Sequence, residues 1–374
     1  MSSPMHCARS TLLTLAAAGL LLIGGCATRA PALLVPIDRA PVGGTTVDLL
    51  AITTRAPSEV PGEIYSGERS RTVSGRIIEV SIPPNHQRGR LELPSGSNPD
   101  PENEFAALSV EIATPEAAWA WFDRQETEGR VLIFVHGYNV RYADAVFSLA
   151  QITEDLPVIA APVLFSWPSR GNLLGYLYDR ESATYARDAF EMVLTEAIES
   201  ERVTQVTILA HSMGSWITME TLRQMSIRNG GLSDKITDVI LAAPDLDIDV
   251  FEQQFLALGD DRPYFTFLVS RDDRALGLSK MLAGGEQRLG SVDPSQEPLR
   301  SRIEATPGIA VIDLSAATGV DGARHSKFSG SQEMLDFARL TMADNAEAVA
   351  DRTPIGELAG AVIVTLGLGV AGGE

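Results

Sequence analysis

After residue 130 the chain repeats one rhythm: an apolar run, a turn, then a stretch with helical spacing. Few folds accept that rhythm. The runs are "VLIFVH", "VIAAPVLFSW", "RVTQVTILA", "DVILAAP", "YFTFLVS" and "GIAVIDLS". Between them the apolar spacing predicts helices over 142–154, 180–200, 214–228, 247–258 and 331–345. Strands apolar on both faces must be covered on both faces, so the expected class is α/β, a mostly parallel central sheet with helices on either side. Upstream, "TVDLLAITT" and "SGRIIEVSI" are shorter strand patterns separated by Pro, Gly and charged turns, which predicts an antiparallel N-terminal segment of the sheet. A sheet of this kind presents its site at the carboxyl ends of its parallel strands.

The first 25 residues do not fit that rhythm. "TLLTLAAAGLLLIGG" is an apolar stretch of secretory length, too short for the roughly 20 residues that span a bilayer. Leu22-Ile23-Gly24-Gly25-Cys26 resembles a bacterial lipobox, so residues 1–25 are expected to be a lipoprotein signal peptide and Cys26 the lipidated residue. Ala27 after that cysteine favours the outer membrane, facing the periplasm. Residues 26–45, with three prolines and a Gly pair, are expected to be a tether, 46–345 the folded domain, and 346–374 an apolar, Gly-rich tail. Of the two cysteines, Cys7 leaves with the signal and Cys26 carries lipid, which excludes thiol chemistry and Cys-based metal sites. A formal net charge of -19 offers no basic face to phosphates, so nucleic acid is excluded as a partner and membrane attachment must come from acyl chains.

Chemistry concentrates at the strand ends. "ILAHSMGSW" sets Ser212 between an apolar strand and a helix, a G-x-S-x-G pattern with Ala210 in the first small position, which presents a nucleophile on a tight turn. A bare helix cap is the plainer use of such a serine. A serine hydroxyl needs a base. Of five histidines, His6 lies in the signal, His86 precedes the parallel strands, and His136 and His211 flank turns. His325 follows the last strand and precedes the last helix, where a loop can lower an imidazole over Ser212. The orienting acid is expected at Asp273 in "VSRDDRAL", giving the order Ser, Asp, His; Asp272 beside it, and Asp245, Asp247 or Asp249 in "APDLDID", remain alternatives. Backbone N–H groups of Tyr138, in "FVHGYNV", and of Met213 are the candidate oxyanion donors. Asn139 and Trp167 are candidate substrate-binding residues, although Trp167 and Pro168 also suit a turn over the sheet. The charged run starting at Asp179 reads as a charged helix face that covers the sheet and carries no chemistry. No zincin, phosphate-loop or dinucleotide pattern occurs in its required context, so neither metal nor cofactor is expected.

"VLIFVHGYN", "LFSWPSRG", "TILAHSMGSW", "LAAPDLDIDVF", "VSRDDRALGLS" followed by "QRLG", and "RHSKF" occur in that order, and the set resembles a bacterial α/β-hydrolase family, esterase-like and of undefined physiological substrate. Upstream, "ITTRAP", "SGERS" and "SIPPNHQRGRLE" resemble that family's N-terminal segment. The resemblance implies an α/β-hydrolase fold with Ser212, His325 and an acid in "SRDDRAL". The expected function is a lipid-anchored envelope serine hydrolase that cleaves small-molecule or lipid carboxylic esters. An acyltransferase acting on an envelope lipid or glycan, and a catalytically silent hydrolase-fold binding lipoprotein, are its rivals.

Overall fold

The computed structural model describes residues 32–156, 159–282, 285–297, 299–316 and 363–365; Cys26, His325 and the expected helix over 331–345 lie outside them. The strands in chain order are β1 (Thr45–Pro57), β2 (Tyr65–Ile82), β3 (Ala106–Ile112), β4 (Arg130–Val135), β5 (Ala161–Ser166), β6 (Gln205–His211), β7 (Ile236–Ala242), β8 (Tyr264–Val269), β9 (Ile309–Asp313) and β10 (Ile363–Thr365). They form a single sheet in the order β10-β9-β8-β7-β6-β4-β5-β1-β2-β3. β4 to β9 run parallel, and β1 joins them by lying parallel to β5. β2 and β3 continue antiparallel from β1, and β10 closes the other edge antiparallel to β9. This is the mostly parallel sheet with an antiparallel N-terminal segment that the sequence rhythm predicts.

The helices are α1 (Pro115–Phe122), α2 (Tyr142–Asp155), α3 (Tyr176–Glu199), α4 (Gly214–Asn229), α5 (Ile248–Leu256), α6 (Arg274–Leu282) and α7 (Leu299–Glu304). Successive strand side chains point to opposite faces, and β4 shows the result. Val131, Ile133 and Val135 enter one core with Trp121 of α1, Phe190 of α3, Leu222 of α4 and Phe255 of α5. Leu132 and Phe134 enter the other, with Phe147 and Ile152 of α2 and with Leu49 and Ile78 of the N-terminal hairpin. Each such side chain, fully buried, stabilises the fold by roughly 1.5–3 kcal/mol, which is why strands this apolar sit in the middle of the sheet.

Three stretches differ from their sequence expectation. β2 starts well before "SGRIIEVSI" because its polar first half lies along α3: Arg69 Nε donates to Ser182 Oγ at 2.9 Å and the Tyr178 hydroxyl to the Gly67 carbonyl at 3.2 Å. α3 begins at Tyr176, one turn earlier than its apolar spacing predicts. Within the expected tether, Leu34 is 1% exposed and its N–H donates to Gly62 at 2.7 Å, while Ile37 N–H donates to Ala107 at 2.9 Å. Leu34 packs into the core that the N-terminal hairpin shares with α2.

Candidate active site

Ser212 follows β6 and precedes α4, with φ of 53° and 5% exposure. A left-handed conformation costs a non-glycine residue roughly 1–2 kcal/mol, so neighbours must impose it. Ser212 N–H donates to Ala242 at the end of β7 (2.9 Å), and its carbonyl accepts from Ser215 (3.0 Å) and Asp245 (3.2 Å). Gly214 is the second requirement: a Cβ there would stand 2.4 Å from the Val135 carbonyl and 2.6 Å from that of His136. On the β4 side, a Cβ on Gly137 would come within 2.9 Å of the Ser212 Cβ. The helix therefore starts hard against the end of β4, and the His136–Val140 loop presses on the serine. Among the described residues, neither the Tyr138 nor the Met213 backbone N–H donates to a backbone carbonyl.

That loop is held from behind by Arg55, 1% exposed at the end of β1. Its Nε donates to Ser166 Oγ (2.9 Å), Nη1 to the carbonyls of Ser169 (2.7 Å) and Ser66 (3.3 Å), and Nη2 to Val140 (2.8 Å) and His136 Nε2 (3.2 Å). Burial pulls the guanidinium pKa down to about 10, and Asp179 opposes the fall, so it stays charged at neutral pH. Because arginine only donates, His136 Nε2 must accept, which puts the ring proton on Nδ1, 2.9 Å from the Gly137 carbonyl. Burial, then the Arg55 charge, push the His136 pKa down to about 3. The neutral ring stacks on Trp167 with centroids 5.0 Å apart.

Asp179, in the first turn of α3, completes the support. It accepts from Asn139 N–H (3.2 Å), Arg170 N–H (2.9 Å) and Ser169 Oγ (2.5 Å), and Ser169 Oγ in turn accepts from Val140 N–H (3.0 Å). Burial raises its pKa in spite of those donors. The helix covers the sheet through Ala183, Ala186, Phe190 and Leu194, as its sequence predicts, but Asp179 departs from the charged face, being buried and bonded to two loops. Asn139 takes φ of 60°, and its N–H is spent on Asp179. Trp167 is fully buried and donates Nε1–H to the His136 carbonyl at 2.8 Å. Its indole braces the loop from the inside.

The five candidate acids differ in what they already hold. Asp273 follows β8, is 5% exposed and accepts from Leu276 N–H at 2.9 Å. Asp272, less buried, accepts from Ser270 Oγ at 2.5 Å. Asp245 accepts from the hydroxyls of Tyr176 (3.1 Å) and Ser279 and lies 3.2 Å from Arg288 Nε. Asp247 caps α5, accepting from Asp249 and Val250, and Asp249 is exposed in the first turn. Two described histidines are also committed: His136 as above, and His86 between Glu92 (2.7 Å) and Asp155 (3.1 Å). His211 ends β6 beside Gly137. The described residues contain no cluster of three His, Cys, Asp or Glu that could hold a metal.

Arg55, Asp179, Tyr176 and Arg288 were not marked by sequence reasoning. For Arg55 a signal existed, since it is a lone cation at the end of the apolar run "VDLLAITT". Arg288 lies in "QRLG", one of the stretches that carry the family resemblance, while nothing in the local pattern distinguishes Asp179 and Tyr176.

Arg55→Met should lower the unfolding free energy by about 3–5 kcal/mol in urea titrations, since it strands several buried acceptors. The His136 pKa is depressed in the folded state, so its contribution is complete above the unfolded value near 6.5 and is lost as pH falls toward about 3. His136→Gln, whose Oε1 still accepts from Arg55, should therefore lose stability less steeply across that window, by up to about 1.4 kcal/mol per pH unit. Parallel acid titrations of unfolding free energy test this.

Residues 114–343 match the family described as "Alpha/beta hydrolase of unknown function (DUF900)". An uncharacterized protein of Nostoc sp. (strain PCC 7120), alr1448, is 26% identical over 135 residues, which cover 29% of this chain and 35% of that protein. The match thus spans about a third of that relative's length. A lipase-esterase related protein from Clostridium acetobutylicum ATCC 824 has a crystal structure with a TM-score of 0.31 and 12% identity, covering 58% of this chain and 94% of that one. That likeness is too low to bear on the fold, which rests on the sheet and the family match. On those two findings, the chain is a member of the DUF900 family of alpha/beta hydrolases.

Proposed function

We propose that this protein is a serine hydrolase of carboxylic esters at the bacterial cell envelope, anchored through a lipid on Cys26 and facing the periplasm from the outer membrane. The observation that carries the reading is Ser212, a buried non-glycine residue at φ of 53° between β6 and α4. Strain of that kind persists only where the surroundings enforce it, and it is the backbone geometry that exposes a nucleophile above a sheet edge.

In this reading His325 takes the proton from Ser212 Oγ as the oxygen attacks the ester carbonyl. The oxyanion is received by the N–H groups of Tyr138 and Met213. When the tetrahedral centre collapses, the C–O bond to the alcohol breaks and His325 returns the proton to the leaving oxygen. Water then repeats the sequence on the acyl-enzyme, releasing the acid and restoring the serine. Asp273 orients the imidazole and stabilises its cation. Supporting the choice of acid, Asp273 is buried at a strand end, whereas Asp245 is occupied by Tyr176, Ser279 and Arg288 and Asp247 is a helix cap. Supporting the choice of base, His136 and His86 each have both ring nitrogens engaged.

Ser212→Ala and His325→Ala should each lower kcat on an activated ester roughly 10³-fold or more, and a fluorophosphonate probe should label Ser212 alone. Unchanged turnover in either variant would overturn the assignment. Product formation that outruns hydrolysis when an alcohol acceptor is added would instead identify an acyltransferase, and an unlabelled Ser212 a binding protein. For the anchor, an alkyne fatty acid fed to the producing bacterium should tag the chain and fail to tag Cys26→Ser. Equal tagging would exclude lipidation at that cysteine.

A further inference from the structure

Leu173, Leu174 and Leu177, at the start of α3, are 59%, 95% and 73% exposed. Single exposed hydrophobics are ordinary; a contiguous group beside a site is not. Elsewhere among the described residues the exposed large hydrophobics stand apart in sequence, except for Leu278 (42%) and Met281 (68%), which sit one turn apart on α6.

The elements that carry the two groups are joined through the candidate active site. The Tyr138 hydroxyl donates to the carbonyls of Asn172 and Leu173, which ties the leucine turn to the loop that presses on Ser212. The Tyr176 ring packs edge-on against Tyr138 at 5.3 Å. Its hydroxyl lies 2.9 Å from Ser279 Oγ on α6, and both hydroxyls bond Asp245, whose N–H holds the Ser212 carbonyl. Tyr176 therefore spans from the loop after β4 to the loop after β7, on either side of the nucleophile. The exposed leucines belong to the turn and first helical turn at one end of it, and Leu278 and Met281 to the helix that Ser279 joins to the other. The Leu173 backbone is held by the Tyr138 hydroxyl, and α6 is tied to Tyr176 and Asp245 through Ser279.

We infer that these five side chains form the acyl-binding rim of the site, and that its substrate is an ester of a medium or long aliphatic acid. The inference rests on the ester-hydrolase reading above and adds the substrate class. The aliphatic chain leaves the carbonyl at Ser212, passes Tyr176 and covers leucines that otherwise face water.

The experiment compares kcat/KM of the full-length chain on p-nitrophenyl acetate, butyrate and octanoate, each below its critical micelle concentration. Octanoate should exceed acetate by about tenfold or more, the scale set by burying a few methylenes. Leu174→Gln with Leu177→Gln, and separately Leu278→Gln with Met281→Gln, should each cut the octanoate-to-acetate ratio about fivefold or more. These exposed positions make no core contact, and thermal melts matching the native chain verify folding. A native ratio at or below one, or a ratio that neither double variant moves, overturns the inference while Ser212-dependent acetate hydrolysis leaves the hydrolase reading standing. If no ester is cleaved in a Ser212-dependent way, the hydrolase reading itself falls, and the inference with it.

Discussion

One buried cation organises the functional end of this molecule. Arg55 reaches from the last turn of ladder in β1 to the ends of two other chain segments, the loop after β4 and the loop after β5, and donates to both. A guanidinium taken out of water is costly unless its donors are satisfied and its charge is answered. Here the donors all find acceptors, while Asp179 supplies the nearby negative charge from the opposite side of the same loops. Those two groups fix the position of the Gly137–Val140 backbone. Whatever the loop does for a substrate depends on that position being held to within tenths of an ångström.

The strained serine follows from the same arrangement. Its left-handed backbone is enforced from three directions: the β7 end through Ala242, the Asp245 N–H on its carbonyl, and the absence of a side chain at Gly214 and Gly137, where the β4 end closes in. None of these contacts involves the serine hydroxyl. The backbone network thus fixes the place of Oγ through main-chain contacts alone.

Much of this was legible in the sequence. The parallel core, its order of strand and helix, and the junction at Ser212 all follow from the period of apolar residues and from small residues at a turn, because those signals are local. β3, which is short, and the polar half of β2, which pairs with the end of β1 and bonds to α3, carry no apolar period, while α1 is announced only by its Thr114-Pro115-Glu116 start. The support of the site was the least readable part. Arg55 and His136 are 81 positions apart and meet only because β1 lies beside β5 and β5 beside β4. Asp179 sits in a helix whose composition is that of a solvated face, and its partners are backbone amides, which no side-chain pattern announces. In the sequence Trp167 suits both a pocket wall and a turn; its geometry is that of a brace against His136.

The place of Arg55 in the chain also bears on what the folding unit is. The family match opens at residue 114, yet the cation behind the His136 loop arrives from residue 55, on a hairpin that also covers β5 along one edge. Trimmed to the matched span, the polypeptide would keep its serine and its parallel strands, but β5 would become a bare edge and the acceptors around the missing guanidinium would face an empty hole. The N-terminal hairpin is accordingly an integral wall of the hydrolase scaffold, although it lies outside the matched span.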